Sequence, residues 1–157
     1  MRHCFKFSGT LLGIALTVTV IQAQESERQI KRDQLPPAVE QTVARESVGA
    51  TIKGFATEVE KGRTFYEASL IVDGHGKDIL MDKKGNIVEV EEEVSLNSLP
   101  LTVQEALKKA AGTGTIVMVE SLTKNGSLVA YEAHIKKGTR RSEIQVGPNG
   151  EKLKRPE

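Results

Sequence analysis

Thr64-Phe65-Tyr66-Glu67-Ala68-Ser69-Leu70-Ile71-Val72 and Val129-Ala130-Tyr131-Glu132-Ala133-His134-Ile135-Lys136-Lys137 lie 65 residues apart and share the core Tyr-Glu-Ala. In both stretches the pattern has a period of two. Tyr66, Ala68, Leu70 and Val72 fall on one face of an extended chain, as do Val129, Tyr131, Ala133 and Ile135, so each stretch reads as a half-buried strand with its tyrosine turned inward. Upstream the self-match continues at a spacing of 64: Leu35-Pro36 against Leu99-Pro100, and Val39, Val43 and Ile52 against Val103, Leu107 and Ile116. Downstream it continues at 65, with Ile79, Met81, Gly85 and Val88 against Ile144, Val146, Gly150 and Leu153. One inserted residue reconciles the two spacings. A self-match of this length implies two copies of one structural unit.

Each copy opens with a helix signal. Pro36 and Pro37 suit a first helical turn, where a missing N–H has no partner to lose, and Val39, Thr42 and Val43 then share a face. In the second copy Pro100 takes that place. Val103, Ala106, Leu107 and Ala110 follow at helical spacing, Lys108 and Lys109 suit the negative end of the dipole, and Gly112 supplies a left-handed cap. Turn residues then divide the remainder: Lys61-Gly62, Asp73 to Gly76 and Lys83 to Asn86 in the first copy, Asn125-Gly126, Lys137-Gly138 and Pro148 to Gly150 in the second. Three turns delimit four strands. The expected fold is therefore α+β: two tandem repeats, residues 35–94 and 99–157, each a helix followed by a four-stranded antiparallel meander. The helices pack on one sheet face and leave the other to solvent. Residues 95–98 are expected as a linker, residues 24–34 as a mobile polar leader, and the acidic run Glu89 to Glu93 as a solvated edge strand.

Arg2, His3 and Lys6 precede an apolar run from Leu11 to Val20 that ends at Ala23, the pattern of a cleaved secretory signal over residues 1–23. The run is about half of what a membrane span requires. Its removal predicts a periplasmic or secreted protein with no stable membrane anchor. The one cysteine, Cys4, leaves with the signal, which excludes disulfides, thiolate metal sites and a cysteine nucleophile from the remainder. The whole chain carries 22 basic and 21 acidic residues, and without Arg2 and Lys6 the balance is −1. With no basic excess and no interleaved aromatics, nucleic acid is not an expected partner.

The residue inventory lacks a catalytic constellation. Only His75 and His134 are available as bases, and His75 sits between glycines in a turn. Gly112 to Thr115 follows a helix, whereas a phosphate loop precedes one. No cofactor and no resident metal is expected: Glu132 and His134 share the outer face of one strand, but two donors fall short of a metal site.

The order of weak elements resembles the PepSY-like domain: Leu35-Pro36-Pro37-Ala38-Val39, Tyr66-Glu67-Ala68 and Asp82-Lys83-Lys84-Gly85, then Leu99-Pro100, Tyr131-Glu132-Ala133 and Gly147-Pro148-Asn149-Gly150. The tandem arrangement is similar to that of the beta-lactamase-inhibitor-like, PepSY-like proteins secreted by Gram-negative bacteria. The resemblance implies a non-enzymatic exported module of helix-plus-sheet design. Beta-lactamase inhibition is not carried over, because this chain has few aromatics and no tryptophan. The expected role is a binding or regulatory module that holds a protein or peptide and acts on a periplasmic hydrolase; the alternative is a small-ligand or metal-binding protein, through Glu132 and His134. The surface expected to carry the partner is the outward face of the two central strands: Phe65, Glu67, Ser69, Ile71, Glu132, His134 and Lys136. Phe55 and Phe65 are the large apolar candidates for a hot spot.

Overall fold

The computed structural model describes residues 27–157, so the expected signal sequence lies outside the described residues. In chain order the elements are β1 (Arg28–Ile30), α1 (Pro37–Glu46), β2 (Thr51–Glu60), β3 (Arg63–Val72), β4 (His75–Met81), β5 (Ile87–Glu93), α2 (Leu101–Ala111), β6 (Thr115–Lys124), β7 (Ser127–Lys137) and β8 (Arg140–Val146). Short 3-10 turns at Arg32–Gln34 and Leu96–Ser98 lead into the two helices. Among the described residues no helix is long and apolar enough to cross a membrane.

The strands form one antiparallel sheet in the order β1-β2-β3-β4-β5-β6-β7-β8. This overturns the expected pair of tandem helix-plus-four-strand units. The molecule is mostly β, and the seam between the supposed copies is an ordinary ladder in which Glu89 faces Lys124, Glu91 faces Leu122 and Glu93 faces Glu120. Three local expectations fall with it. The acidic run is β5, an interior strand between β4 and β6, not a solvated edge. Residues 28–30, expected to be mobile, pair with β2 at Phe55 to Thr57. The second half lacks a fourth strand, since beyond β8 the chain makes only one bridge, Val146 to Lys152.

Local chemistry accounts for the elements that were anticipated. Lys61-Gly62, Asp73-Gly74 and Asn125-Gly126 have both residues at positive φ, the turn whose twist matches a tight hairpin. Gly85, at φ 76°, passes so close to α1 that an added Cβ would press into the Ala38 carbonyl, and its own carbonyl accepts a hydrogen bond from Thr42 Oγ1 at 2.8 Å. Gly150, at φ 85°, lies against Thr102 of α2 in the same way. Both helices therefore dock on one face. Val39 and Val43 of α1 pack with Phe55, Ala68, Leu70, Ile79 and Met81; Val103 and Leu107 of α2 pack with Val119, Ala133 and Val146. Each such aliphatic side chain contributes on the order of 1.5–3 kcal/mol by leaving water. Tyr66 and Tyr131 lie on this face at the margins of the two clusters, half-buried.

Candidate functional site

The face away from the helices is built in rows by strand register. One row runs Ala56, Glu67, Leu80, Glu89, Lys124; the next runs Gly54, Ser69, Asp78, Glu91, Leu122; a third runs Glu93, Glu120, Glu132, Gln145. Carboxylates thus stand directly opposite one another at Asp78–Glu91, Glu93–Glu120 and Glu120–Glu132. Like charges in that position repel. Side chains of β2 to β6, with Glu58, Glu67, Asp78, Glu89, Glu91 and Lys124 among them, line a cleft of about 240 Å³. Glu157 lines it too, while its backbone N–H donates to Gln145 Oε1 on β8 at 2.9 Å. Strands from both halves therefore curl around one acidic hollow.

The hollow is a costly place for negative charge. Burial pushes the Glu91 carboxyl up to about 8, with Glu120 and Glu89 adding repulsion. Glu58 also rises to about 8, through burial first and then its neighbour Glu67. Asp78 and Glu132 are raised as well, chiefly by burial; the hydrogen bond that Gln145 donates to Glu132 Oε2 at 2.7 Å opposes part of the shift on Glu132. Lys124 neutralises one member of the set, lying 3.2 Å from Glu89.

At the β6–β7 end the structure places His134 among three carboxylates. Its Nε2 is 2.7 Å from Glu120 Oε2 and 3.5 Å from Glu132 Oε1, and its Nδ1 is 3.5 Å from Glu143 Oε1. Glu120, Glu132 and His134 can each point one donor atom to a common position, and so can Asp78, Glu91 and Glu120. Glu120 belongs to both sets. Among the described residues every buried polar side-chain atom has a hydrogen-bond partner.

Of the seven residues expected to carry a partner, Glu67, Ser69, Ile71, Glu132, His134 and Lys136 lie on this face, half-buried except for the exposed Lys136. Ser69 Oγ donates to Glu67 Oε1 at 2.9 Å. Phe65 shares the face but is 6% exposed, with the Arg63 guanidinium 5.3 Å above its ring, and Phe55 belongs to the core under α1. Neither is an available anchor. The residues that sequence reasoning missed are Glu58, Asp78, Glu91 and Glu120. Glu91 was visible as part of an acidic run, but only its place between β4 and β6 reveals a charge inside a cleft and not at an edge.

The class that this geometry defines is a curled antiparallel meander with two helices on one face and an acidic hollow on the other. Solved structures share the frame. A BLIP-like protein from Bacteroides fragilis aligns at 22% identity over 76% of this chain and 83% of its own, with a TM-score of 0.56. A DUF2874 family protein from Bacteroides ovatus aligns at 21% identity over 78% and 86%, TM-score 0.60. A protein assigned to the periplasm of Bacteroides eggerthii aligns at 18% identity over 76% and 86%, TM-score 0.62. No family model matches the sequence, and no curated protein matches it.

Proposed function

We propose that this chain is a periplasmic, non-enzymatic binding module of the PepSY-like kind, which holds a protein or peptide partner in the acidic hollow of its sheet. Periplasmic placement follows from the secretory pattern of residues 1–23 and from the periplasmic assignment of the Bacteroides eggerthii protein with the same fold. The observation that carries the binding role is the confinement of Glu58, Glu67, Asp78, Glu89 and Glu91 in one hollow, with Glu120 beside Asp78 and Glu91 and with Lys124 as the one lining cation among the described residues. Folding leaves these carboxyls without enough cations, so that Glu58 and Glu91 keep their protons at neutral pH, and a cationic side chain entering the hollow favours their ionised forms. The partner is thus a lysine- or arginine-bearing segment. A hydrolase whose surface presents such a segment is the partner class this reading favours. Calorimetric titration with a lysine-rich peptide tests the reading: affinity should fall with added salt and drop about tenfold in a Glu67→Gln, Glu91→Gln double variant. Unchanged affinity in that variant would remove the hollow as the site.

The position of Glu120 supports a second reading. It supplies the third donor that Glu132 and His134 lack in sequence, so the three side chains match the donor number of an open zinc site. Zinc titration of the wild type against Glu120→Gln separates the readings, because this one requires stoichiometric heat that the variant loses.

A further inference from the structure

The two halves differ at one edge. In the first half, Lys77 to Met81 of β4 is covered along its outer side by β5, which pairs Glu92, Glu91, Val90, Glu89 and Ile87 against it. The equivalent stretch of β8 is Ser142 to Val146, and the equivalent of the Met81–Ile87 pair is the Val146–Lys152 bridge. There the correspondence stops. Pro156, with no N–H to donate, stands where β5 has Glu91, and Glu157 has turned onto the sheet face to meet Gln145. Among the described residues nothing pairs with the outer side of β8 below Val146. Ile79 is 1% exposed under β5, whereas its counterpart Ile144 is only half-buried and Arg140 to Glu143 are exposed.

The bare edge carries unanswered charge. Arg140 faces Lys137 and Arg141 faces Lys136 across the β7–β8 ladder, and among the described residues none of these four cations has an ion-pair partner. Gly147 N–H donates outward to the Glu151 carbonyl at 2.8 Å, so by strand alternation the backbone groups of Glu143 and Arg141 also point away from β7.

We propose that the occupant of this edge is a second copy of the chain, paired antiparallel through β8 about a two-fold axis at Ser142. That register sets Arg141 opposite the second copy's Glu143 and Glu143 opposite its Arg141, both as pairs that exchange backbone hydrogen bonds. It also lays the aliphatic stem of the second copy's Arg140 over Ile144. Neighbouring registers fail: centred on Arg141 or Glu143, each sets a like charge against itself, and centred on Ile144 the ladder needs Val146, which Lys152 already holds. Glu143 lies within 3.5 Å of His134, so the incoming Arg141 adds its charge to the end of the carboxylate and imidazole cluster. The two-fold turns both acidic faces to the same side. The interface is isologous, as a closed dimer requires.

A single pair of edge strands is a small contact, so the dimer belongs to the weak class and is sought by sedimentation equilibrium up to about 0.5 mM protein. The wild type should show a concentration-dependent monomer–dimer equilibrium. Arg141→Glu and Glu143→Arg should each weaken it about tenfold, because two cross-strand pairs turn from attraction to repulsion. The double variant, in which the charges are exchanged, should restore it. Hydrogen exchange at the Arg141 and Glu143 amides should slow as dimer accumulates. A chain that stays monomeric throughout, a dimer indifferent to both single changes, or a dimer with those amides unprotected would each overturn the proposal. Circular dichroism of the variants shows that the fold is intact in each case.

Discussion

The two halves of the sheet use one frame for different chemistry, and the clearest place to see it is the row through the Tyr-Glu-Ala strands. In the first half Ala56, Glu67 and Leu80 stand side by side; at the equivalent positions the second half has Glu120, Glu132 and Gln145. One row beyond, Ser69 and Asp78 correspond to His134 and Glu143. The first half thus dilutes its acids with small and apolar neighbours, and the second concentrates polar groups around an imidazole. In chemical character the outward set differs most, although inward Phe55 has the smaller Val119 as its counterpart. The inward set, Leu70 and Ile79 against Ile135 and Ile144, stays aliphatic because both helices demand it.

The largest expected difference between the halves lies in that inward set. Ile79→Ala should cost about 3–4 kcal/mol, a buried truncation that leaves a cavity, while Ile144→Ala should cost about 1–2 kcal/mol because its site is partly open. Chemical denaturation of both variants measures this, and equal costs would mean that β8 is covered in solution even when the chain is dilute. Gly85→Ala and Gly150→Ala sharpen the likeness instead. Both positions have positive φ and a helix carbonyl in the way, so each should lose about 2 kcal/mol or more. A tolerant Gly150 would show α2 to be the more loosely seated helix.

The tyrosine and glutamate of the second strand come next. Tyr131→Ala should cost about 2 kcal/mol from its half-buried place on the helix face, and Glu132→Ala under about 1 kcal/mol, since the change also relieves repulsion from Glu120. The reverse order in denaturant melts would invert the assignment of faces. The smallest effect is that of pH on the hollow. Glu58 and Glu91 hold protons in the fold at pH values where the unfolded chain has lost them, so the stability they contribute is complete below about pH 4.5 and is lost as pH rises to about 8. Glu91→Gln should therefore flatten the profile and gain about 1 kcal/mol at pH 8.5, an amount reduced by solvent screening at a partly open site. Thermal melts across that range check it. A steeper profile in the variant would mean that Glu91 is ionised in the folded protein with its charge compensated.

Much of the frame was legible because its signals are local. Pro36 and Pro100 start the helical approach, Gly112 ends α2, and three two-residue turns fix three hairpins, all within a few residues of the chain. The β5–β6 seam was not legible. It joins strands separated by α2, and Glu89 to Glu93 read as solvated because charge inside a sheet has no sequence signature. Glu120 was hidden for a subtler reason. Counting back from the Asn125-Gly126 turn sets it against Tyr131 on the helix face; a bulge at Leu122/Thr123 shifts the ladder by one and brings it against Glu132. The first-half hairpin has no such shift between Glu60 and Gly54. The single residue by which the two spacings differ is thus the bulge that builds the carboxylate and imidazole cluster.

The sequential strand order also bears on how the chain folds. Five of its seven strand pairings join segments separated by a short turn, so their ends meet at little entropic expense and the hairpins can form independently. The β1–β2 ladder must enclose residues 31–50, α1 included, and the β5–β6 ladder residues 94–114, α2 included, before a first bond closes. Those are the slow steps expected of a meander otherwise poor in distant pairings, and a circular permutant opened between β5 and β6 should refold by a different route.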